Sequence, residues 1–260
     1  MVNAASGFRV LVVCTGNVCR SPAVAALLMT RAREAGLAPE QWLQVRSAGT
    51  HALDGAGLHE QTARALAGVG VLVSPAHQAH RLIAQDVRGA DLVLTATREH
   101  RAAAARLHPP AVQRVFTLLE MAALLTTAST TSPPAGGHSS SSGSPSAPTP
   151  TEWVARAGQL VADARAARGR VRIDDPAELD LADPVDAPPT VHDAVVARAD
   201  AAVGVILAAL TGTGHSLTGV SHEGDRPTKL TQSEPGLHPN VSPRTSRRLP
   251  AAPGWRRPAR

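Results

Sequence analysis

Tyrosine is absent from this 260-residue chain, and with two Phe and three Trp the aromatics make up only 2% of it. A β-sandwich or barrel leans on aromatic and β-branched residues, so the shortage favours a helix-rich α/β chain with a core of Ala, Val and Leu. Cysteine is nearly missing too. Cys14 and Cys19 are the whole inventory, too few for a disulfide framework or a four-cysteine zinc site, and their closeness marks one local site. There is no run of about 18 uncharged apolar residues. The best candidate, Ala194 to Leu210, is broken by Arg198 and Asp200, which argues against a membrane span. The N-terminal MVNAASGFRVLVVC holds an apolar run too short for a signal sequence, and no small-residue cleavage site follows. The expected location is cytoplasmic.

A net charge of +5 suggests a nucleic-acid partner until it is divided along the chain. Residues 211–260 carry Arg226, Lys229, Arg244, Arg247, Arg248, Arg256, Arg257 and Arg260 against Glu223, Asp225 and Glu234, which is the whole excess. The basicity therefore belongs to a tail and not to a folded binding face. That tail alternates Gly, Pro, Ser, Thr and Arg without period and is expected to be disordered. A single Trp255 offers little base stacking, so the tail leaves nucleic acid open without arguing for it. The stretch TTASTTSPPAGGHSSSSGSPSAPTP, from Thr126 to Pro150, has no charged residue and predicts a disordered Ser/Pro-rich insertion, residues 126–151.

What remains is one body, residues 7–210, of ordinary single-domain size. Within it strands alternate with helices. Phe8 to Cys14 (FRVLVVC) reads as a buried parallel strand and Pro22 to Gly36 as a helix closed by glycine. Further strands are expected at Leu43 to Ser47, Asp91 to Thr95 and Val112 to Leu118, and further helices at His59 to Val69, Arg98 to Leu107, Trp153 to Arg168 and Val191 to Leu210. The pattern predicts an α/β fold: a doubly wound, four-stranded parallel sheet with helices on both faces and its ligand at the carboxyl ends of the strands.

The first strand ends at Cys14, and Cys14-Thr15-Gly16-Asn17-Val18-Cys19-Arg20-Ser21-Pro22 leads from it into the helix. Gly16 permits a tight loop and Pro22 suits a first helical turn, so successive backbone N–H groups can converge on an anion at the helix N-terminus. A cysteine at the rim of such a nest, close to an arginine, is favoured as the thiolate and is nucleophilic. Arg20 offers a planar, permanently charged fork for phosphoryl oxygens. His77 and His80 lack a third partner for a metal and read as surface loop residues. Arg98 to Arg101 (REHR) reads as a solvated helix face, with Thr97 before it in a structural role.

VVCTGNVCRSPAVAALL resembles the signature of the low-molecular-weight protein-tyrosine phosphatases, a Cys-x5-Arg-Ser loop after the first strand. VRSAGT from Val45, ADLVLTATREHR from Ala90, VFTLLEMA from Val115 and DLADP from Asp180 follow in order. The resemblance implies a phosphomonoesterase without metal or cofactor, working through a phosphocysteine on Cys14. It implies Arg20 as the phosphate-binding residue and Asp183 of Asp183-Pro184 as general acid. Thr15, Gly16, Asn17, Val18, Cys19 and Ser21 would form the phosphate-binding loop, with Ser47 in support. The implied substrate is a phosphorylated protein, through phosphotyrosine, or a small aryl phosphate. The resemblance also implies that Cys19 can trap an oxidised Cys14 as a reversible disulfide. Asp175-Pro176 repeats the dipeptide, and Asp174, Asp180 and Asp186 lie nearby. Asp183 is preferred because the resembling pattern has a helix directly after the pair. Val185 stands where such enzymes carry an aromatic residue, and Val18 matches the tyrosine-directed members. Two competing functions are an arsenate reductase, which would need cysteines beyond Cys19, and a phosphate-binding scaffold without turnover.

Overall fold

The computed structural model describes residues 7–74, 76–131, 147–170 and 175–212. The chain divides into two units, residues 1–216 and 217–260, and every described residue belongs to the first. Four strands, β1 (Phe8–Cys14), β2 (Leu43–Gly49), β3 (Leu92–Thr95) and β4 (Val115–Thr117), pair in parallel in the order β2-β1-β3-β4. The chain steps from β1 to β2 on one side and returns to β3 on the other. The crevice that such a reversal opens lies at the carboxyl end of β1, where Cys14 pairs with Gly49. The expected four-stranded doubly wound sheet is what the chain forms.

Among the described residues seven helices cover the sheet: α1 (Arg20–Glu34), α2 (Glu60–Gly68), α3 (Ala84–Gly89), α4 (Arg98–Leu107), α5 (Leu118–Thr131), α6 (Pro150–Ala167) and α7 (Pro189–Thr211). Alternation along β1 feeds two cores. Val10, Val12 and Cys14 pack with Leu27 of α1, Met121 and Leu124 of α5, Leu160 of α6 and Val203 of α7. Leu11 and Val13 face the other way, against Val87 of α3, Ala104 of α4 and Val115. Both faces are covered, so β1 is apolar almost throughout. Its one charge, Arg9, is held by Asp91 through Nε and Nη2, both at 3.1 Å.

By length and composition alone α7 could cross a membrane. In this fold its buried residues, Val196, Ala199, Val203 and Ile206 among them, pack against α1, α2 and α5, which is why so apolar a helix suits a protein interior.

Four expectations need correction. The REHR face is not simply solvated, as the site geometry below shows. The insertion is narrower than 126–151, because α5 runs on to Thr131 and α6 already starts at Pro150. Thr126 and Thr127 donate to the carbonyls of Ala122 and Ala123 at 3.0 and 3.1 Å. Thr149 forms a capping box with Glu152, its N–H reaching Oε2 at 2.7 Å, and this satisfies amides that an isolated helix start would leave open. Third, the expected strand Val112 to Leu118 shrinks to Val115–Thr117 because Pro109–Arg114 coils into a 3-10 turn. Fourth, α3 and α5 are additional helices. Residues 132–146 and 213–260, on which the rest of the insertion and nearly all of the tail fall, lie outside the described residues; Thr211 still belongs to α7, closed by Gly212 in the left-handed conformation.

Candidate active site

The loop from Cys14 to Arg20 is shaped from outside by its carbonyls. Those of Cys14, Thr15 and Gly16 accept from the N–H groups of Thr50, His51 and Leu53 at 2.9, 2.9 and 3.2 Å, and those of Val18 and Cys19 from His59 and Ala23 at 2.8 and 3.1 Å. His77 Nε2 donates to the Asn17 carbonyl at 2.9 Å. In a trans peptide the N–H points opposite to the C=O. With every carbonyl turned outward, the N–H groups of Thr15 through Arg20 turn inward as an anion nest at the start of α1.

Asn17 is the hub. It is fully buried and sits at φ 58°, a left-handed conformation that asparagine tolerates better than most side chains. Its Nδ2 donates to Ser21 Oγ and Ser47 Oγ, both at 2.9 Å, and its Oδ1 accepts from the His80 N–H at 3.0 Å. Ser21 Oγ lies 3.0 Å from Cys14 Sγ and 3.4 Å from the Ala48 carbonyl. Its single proton can serve either the sulfur or the Ala48 carbonyl, and the sulfur is the nearer of the two. Gly49 closes the fit: a Cβ there would come within 2.4 Å of the Thr15 carbonyl oxygen, so no side chain is compatible with this approach.

Arg20 is buried, and its guanidinium runs under the loop. Nη1 donates to the Leu181 carbonyl at 3.2 Å, Nη2 to Thr15 Oγ1 at 3.1 Å and also to Asp183 Oδ2. Its Nε is buried without an acceptor among the described residues, an expensive arrangement that an oxyanion in the loop would relieve. Asp183 reaches this point from the segment before α7, with its side chain 44% exposed. The segment is pinned at its base, where the Leu181 N–H bonds the Ala96 carbonyl at 2.8 Å and Asp180 accepts from the Arg98 N–H at 2.8 Å. Burial works against ionisation of Asp180, yet the hydrogen bonds from Arg98 outweigh it and hold the carboxyl below its ordinary value.

The rival Asp175 is accounted for elsewhere. Its Oδ1 accepts from the Ala177 N–H at 2.8 Å and caps the 3-10 turn Pro176–Leu179. Cys19 occupies the N-cap of α1, 3% exposed, and burial raises its thiol pKa. Val18 packs with Cys19 and Ala79, and Val185 is exposed.

Sequence reasoning missed three supports. His100 is buried, with Nε2 2.9 Å from Thr15 Oγ1 and Nδ1 2.7 Å from Thr97 Oγ1. Burial, then the nearby Arg20, push its pKa down to about 4, so it is neutral at pH 7. Within the same REHR stretch Arg98 binds Asp180 and Arg101 binds Glu120, and Glu99 is the exposed member. His77 serves the loop backbone, a role that no local spacing announces. The third is a group formed by Cys19, His59 and His192, whose donor atoms lie within 4.8 Å of one another.

A thiol, an inward-facing amide nest and a buried guanidinium at a strand-to-helix junction, with a carboxylate set against the guanidinium, define an α/β protein built to hold a phosphoryl group beside a nucleophile. The family of low molecular weight phosphotyrosine protein phosphatases matches residues 9–140, and this chain belongs to it. Among its relatives, a protein-arginine-phosphatase of Geobacillus stearothermophilus is 31% identical over 116 residues, 45% of this chain and 72% of that protein. A probable low molecular weight protein-tyrosine-phosphatase, EpsP, of Ralstonia solanacearum is 36% identical over 112 residues, 43% and 71% of the two chains. Among solved structures, a mutant of YwlE from Bacillus subtilis superposes with a TM-score of 0.52 at 20% identity, over 79% of this chain and 99% of that one, which shows the fold.

Proposed function

We propose that this chain is a metal-independent phosphoric monoester hydrolase acting on phosphorylated protein, with Cys14 as nucleophile, Arg20 as phosphoryl clamp and Asp183 as general acid and base. The observation that carries this reading is the meeting of Arg20 with Asp183 beneath the Cys14 loop, across 163 positions of sequence. Substrate binding exchanges one anion for another on Arg20: the phosphoryl oxygens take the guanidinium, and Asp183, half-exposed, is released, takes up a proton from solvent and swings toward the leaving oxygen. The Cys14 thiolate attacks phosphorus in line, the P–O bond breaks, and the leaving oxygen takes the proton of Asp183. In the second displacement the Asp183 carboxylate accepts a proton from water as the water oxygen attacks the phosphocysteine, which releases phosphate and restores the thiolate. The amide nest and Arg20 hold the charge on the equatorial oxygens through both steps.

Relatives include both a tyrosine and an arginine phosphatase. We assign this chain to aryl phosphates, phosphotyrosine first, on the ground of Val18, an apolar β-branched residue packed beside the nest. With Val185, His51 and Leu53 exposed near the loop and no tyrosine in the sequence, an aryl ring would rest on aliphatic rather than aromatic surface. A cytoplasmic setting would keep both thiols reduced. The test is hydrolysis of p-nitrophenyl phosphate in EDTA and reductant. Turnover falls by at least about a thousandfold in Cys14→Ser, as expected when a nucleophile is removed, and kcat/KM for a phosphotyrosine peptide exceeds that for a phosphoarginine peptide. Activity retained in Cys14→Ser refutes the mechanism, and the opposite peptide preference refutes the substrate assignment.

A further inference from the structure

Behind the phosphate loop, at the junction of three helix N-termini, lies a grouping that the phosphatase chemistry does not use. Cys19 caps α1, His59 caps α2 and His192 sits in the first turns of α7. One donor atom of each lies within 4.8 Å of the other two. The two imidazoles stack at 4.8 Å between centroids and 15° between planes. His192 is 1% exposed, and its Nδ1 is 2.9 Å from Thr62 Oγ1. That bond fixes the ring, and Nε2 makes no hydrogen bond of normal geometry among the described residues although the Pro184 carbonyl lies close enough to act on the ring; His59 Nδ1 is buried with no partner among them.

A buried ring nitrogen without a partner, set beside a second imidazole and a thiol, is costly and calls for an explanation. We propose that Cys19, His59 and His192 bind a borderline-to-soft transition-metal cation, with Zn²⁺ as the reference ion. One sulfur and two imidazole nitrogens suit Zn²⁺, Co²⁺ or Cu⁺ and exclude the all-oxygen preferences of Mg²⁺ and Ca²⁺. Tetrahedral coordination at about 2.3 Å to sulfur and 2.0–2.1 Å to nitrogen sets ligand atoms roughly 3.4–3.6 Å apart. The three side chains therefore close by about 1 Å to enclose an ion smaller than a water.

The surroundings fit a ligand set. Thr62 hydrogen-bonds both His192 and the Cys19 thiol, the kind of outer support that orients metal ligands. Burial, then the neighbouring His59, lower the His192 pKa and so favour the neutral imidazole that a metal needs. A thiol must lose its proton to become a ligand, so binding displaces the Cys19 proton. The ion joins the end of the phosphate loop to the starts of α2 and α7, stiffening the segment that carries Asp183, and it withdraws Cys19 from any bond to Cys14. The cation has no part in the displacement steps.

The proposal rests on these side chains and not on the phosphatase reading, so binding is its readout. Co²⁺ titrated into the reduced full-length Cys14→Ser chain gives one equivalent bound, a thiolate-to-cobalt charge-transfer band and a raised melting temperature. Cys19→Ser, checked by circular dichroism to be folded, loses the band and at least about a hundredfold in affinity; His59→Gln and His192→Gln lower affinity by tenfold or more. Thr62→Val lowers it by roughly ten- to a hundredfold, as outer-shell changes do. Added Zn²⁺ slows hydrolysis by the unmodified chain and spares His192→Gln. Absence of binding, a band that survives in Cys19→Ser, or a band that needs Cys14 would each overturn the proposal.

Discussion

Glu120 and Asp183 are both carboxylates held by arginine, one at the head of α5 and the other in the segment before α7, and their surroundings differ in kind. Glu120 is 5% exposed and fully engaged: it accepts from Arg101 Nη1 at 2.8 Å, Arg168 Nε at 3.0 Å and the Thr117 N–H at 3.2 Å. Arg168 is itself occupied, donating to the Val112 and Val115 carbonyls and lying 3.8 Å above the Phe116 ring. Asp183 is half-exposed, with one arginine and a long contact from the Val185 N–H at 3.4 Å, and its partner Arg20 keeps a buried Nε unpaired. A saturated pair has no capacity left for a ligand and serves architecture. An unsaturated pair, with one partner free to move, can exchange its carboxylate for a phosphoryl group.

That contrast can be broken at either end. The largest effect falls on Asp183→Asn, which removes the transferable proton: kcat drops by about 10²–10⁴, more for an alkyl or phenyl phosphate than for p-nitrophenyl phosphate, whose leaving group needs little protonation. Equal losses across leaving groups would remove Asp183 from the proton-transfer step. Arg20→Lys keeps the charge and loses the fork, and kcat falls by about 10²–10³ with the melting temperature little changed. Glu120→Ala gives the opposite signature. It leaves Arg101 and Arg168 without their carboxylate and lowers stability by roughly 3–5 kcal/mol in urea unfolding, while turnover per folded molecule is retained.

The smallest effect sharpens the comparison through pH. His100 ordinarily titrates near 6.5 and in this fold near 4, so the unfolded chain binds the proton first on acidification. The stability tied to neutral His100 is fully present above about pH 6.5 and is lost progressively as pH falls toward 4. Melting temperatures of the unmodified chain should drop across that window by more than those of His100→Gln. An equal drop would free His100 from responsibility for acid sensitivity.

The strand and phosphate loop were legible because the residues that build them are contiguous. Seven apolar-rich residues, a glycine-bearing loop and a helix start with proline speak through local geometry alone. Asp183 was legible only through its dipeptide and the helix behind it; in the fold it meets Arg20, while Asp175 caps a 3-10 turn. His100 was hidden by its company: between two arginines and after Glu99 it looked like surface, and only tertiary packing turns that face onto Thr15. His77 and the group at Cys19, His59 and His192 were invisible because no periodicity links positions that tertiary packing brings together from separate loops and the start of α7. The helix α5 was missed because LLEMAALL follows β4 without a break, and an unpunctuated apolar run does not say where strand becomes helix.

The separation between Arg20 and Asp183 also sets an order in time. Everything that shapes the nest except His100, from Cys14 and Asn17 to Ser47, Gly49, His77 and His80, is synthesised within the first 80 residues. The carboxylate follows 163 positions after Arg20, just ahead of the helix that packs on α1, α2 and α5. Contacts this distant in sequence form late because chain closure must be achieved before they return any stabilisation. A nascent chain thus carries the parts of its anion nest long before Asp183 exists to meet Arg20, and the pairing of the two reports that the last helix has docked.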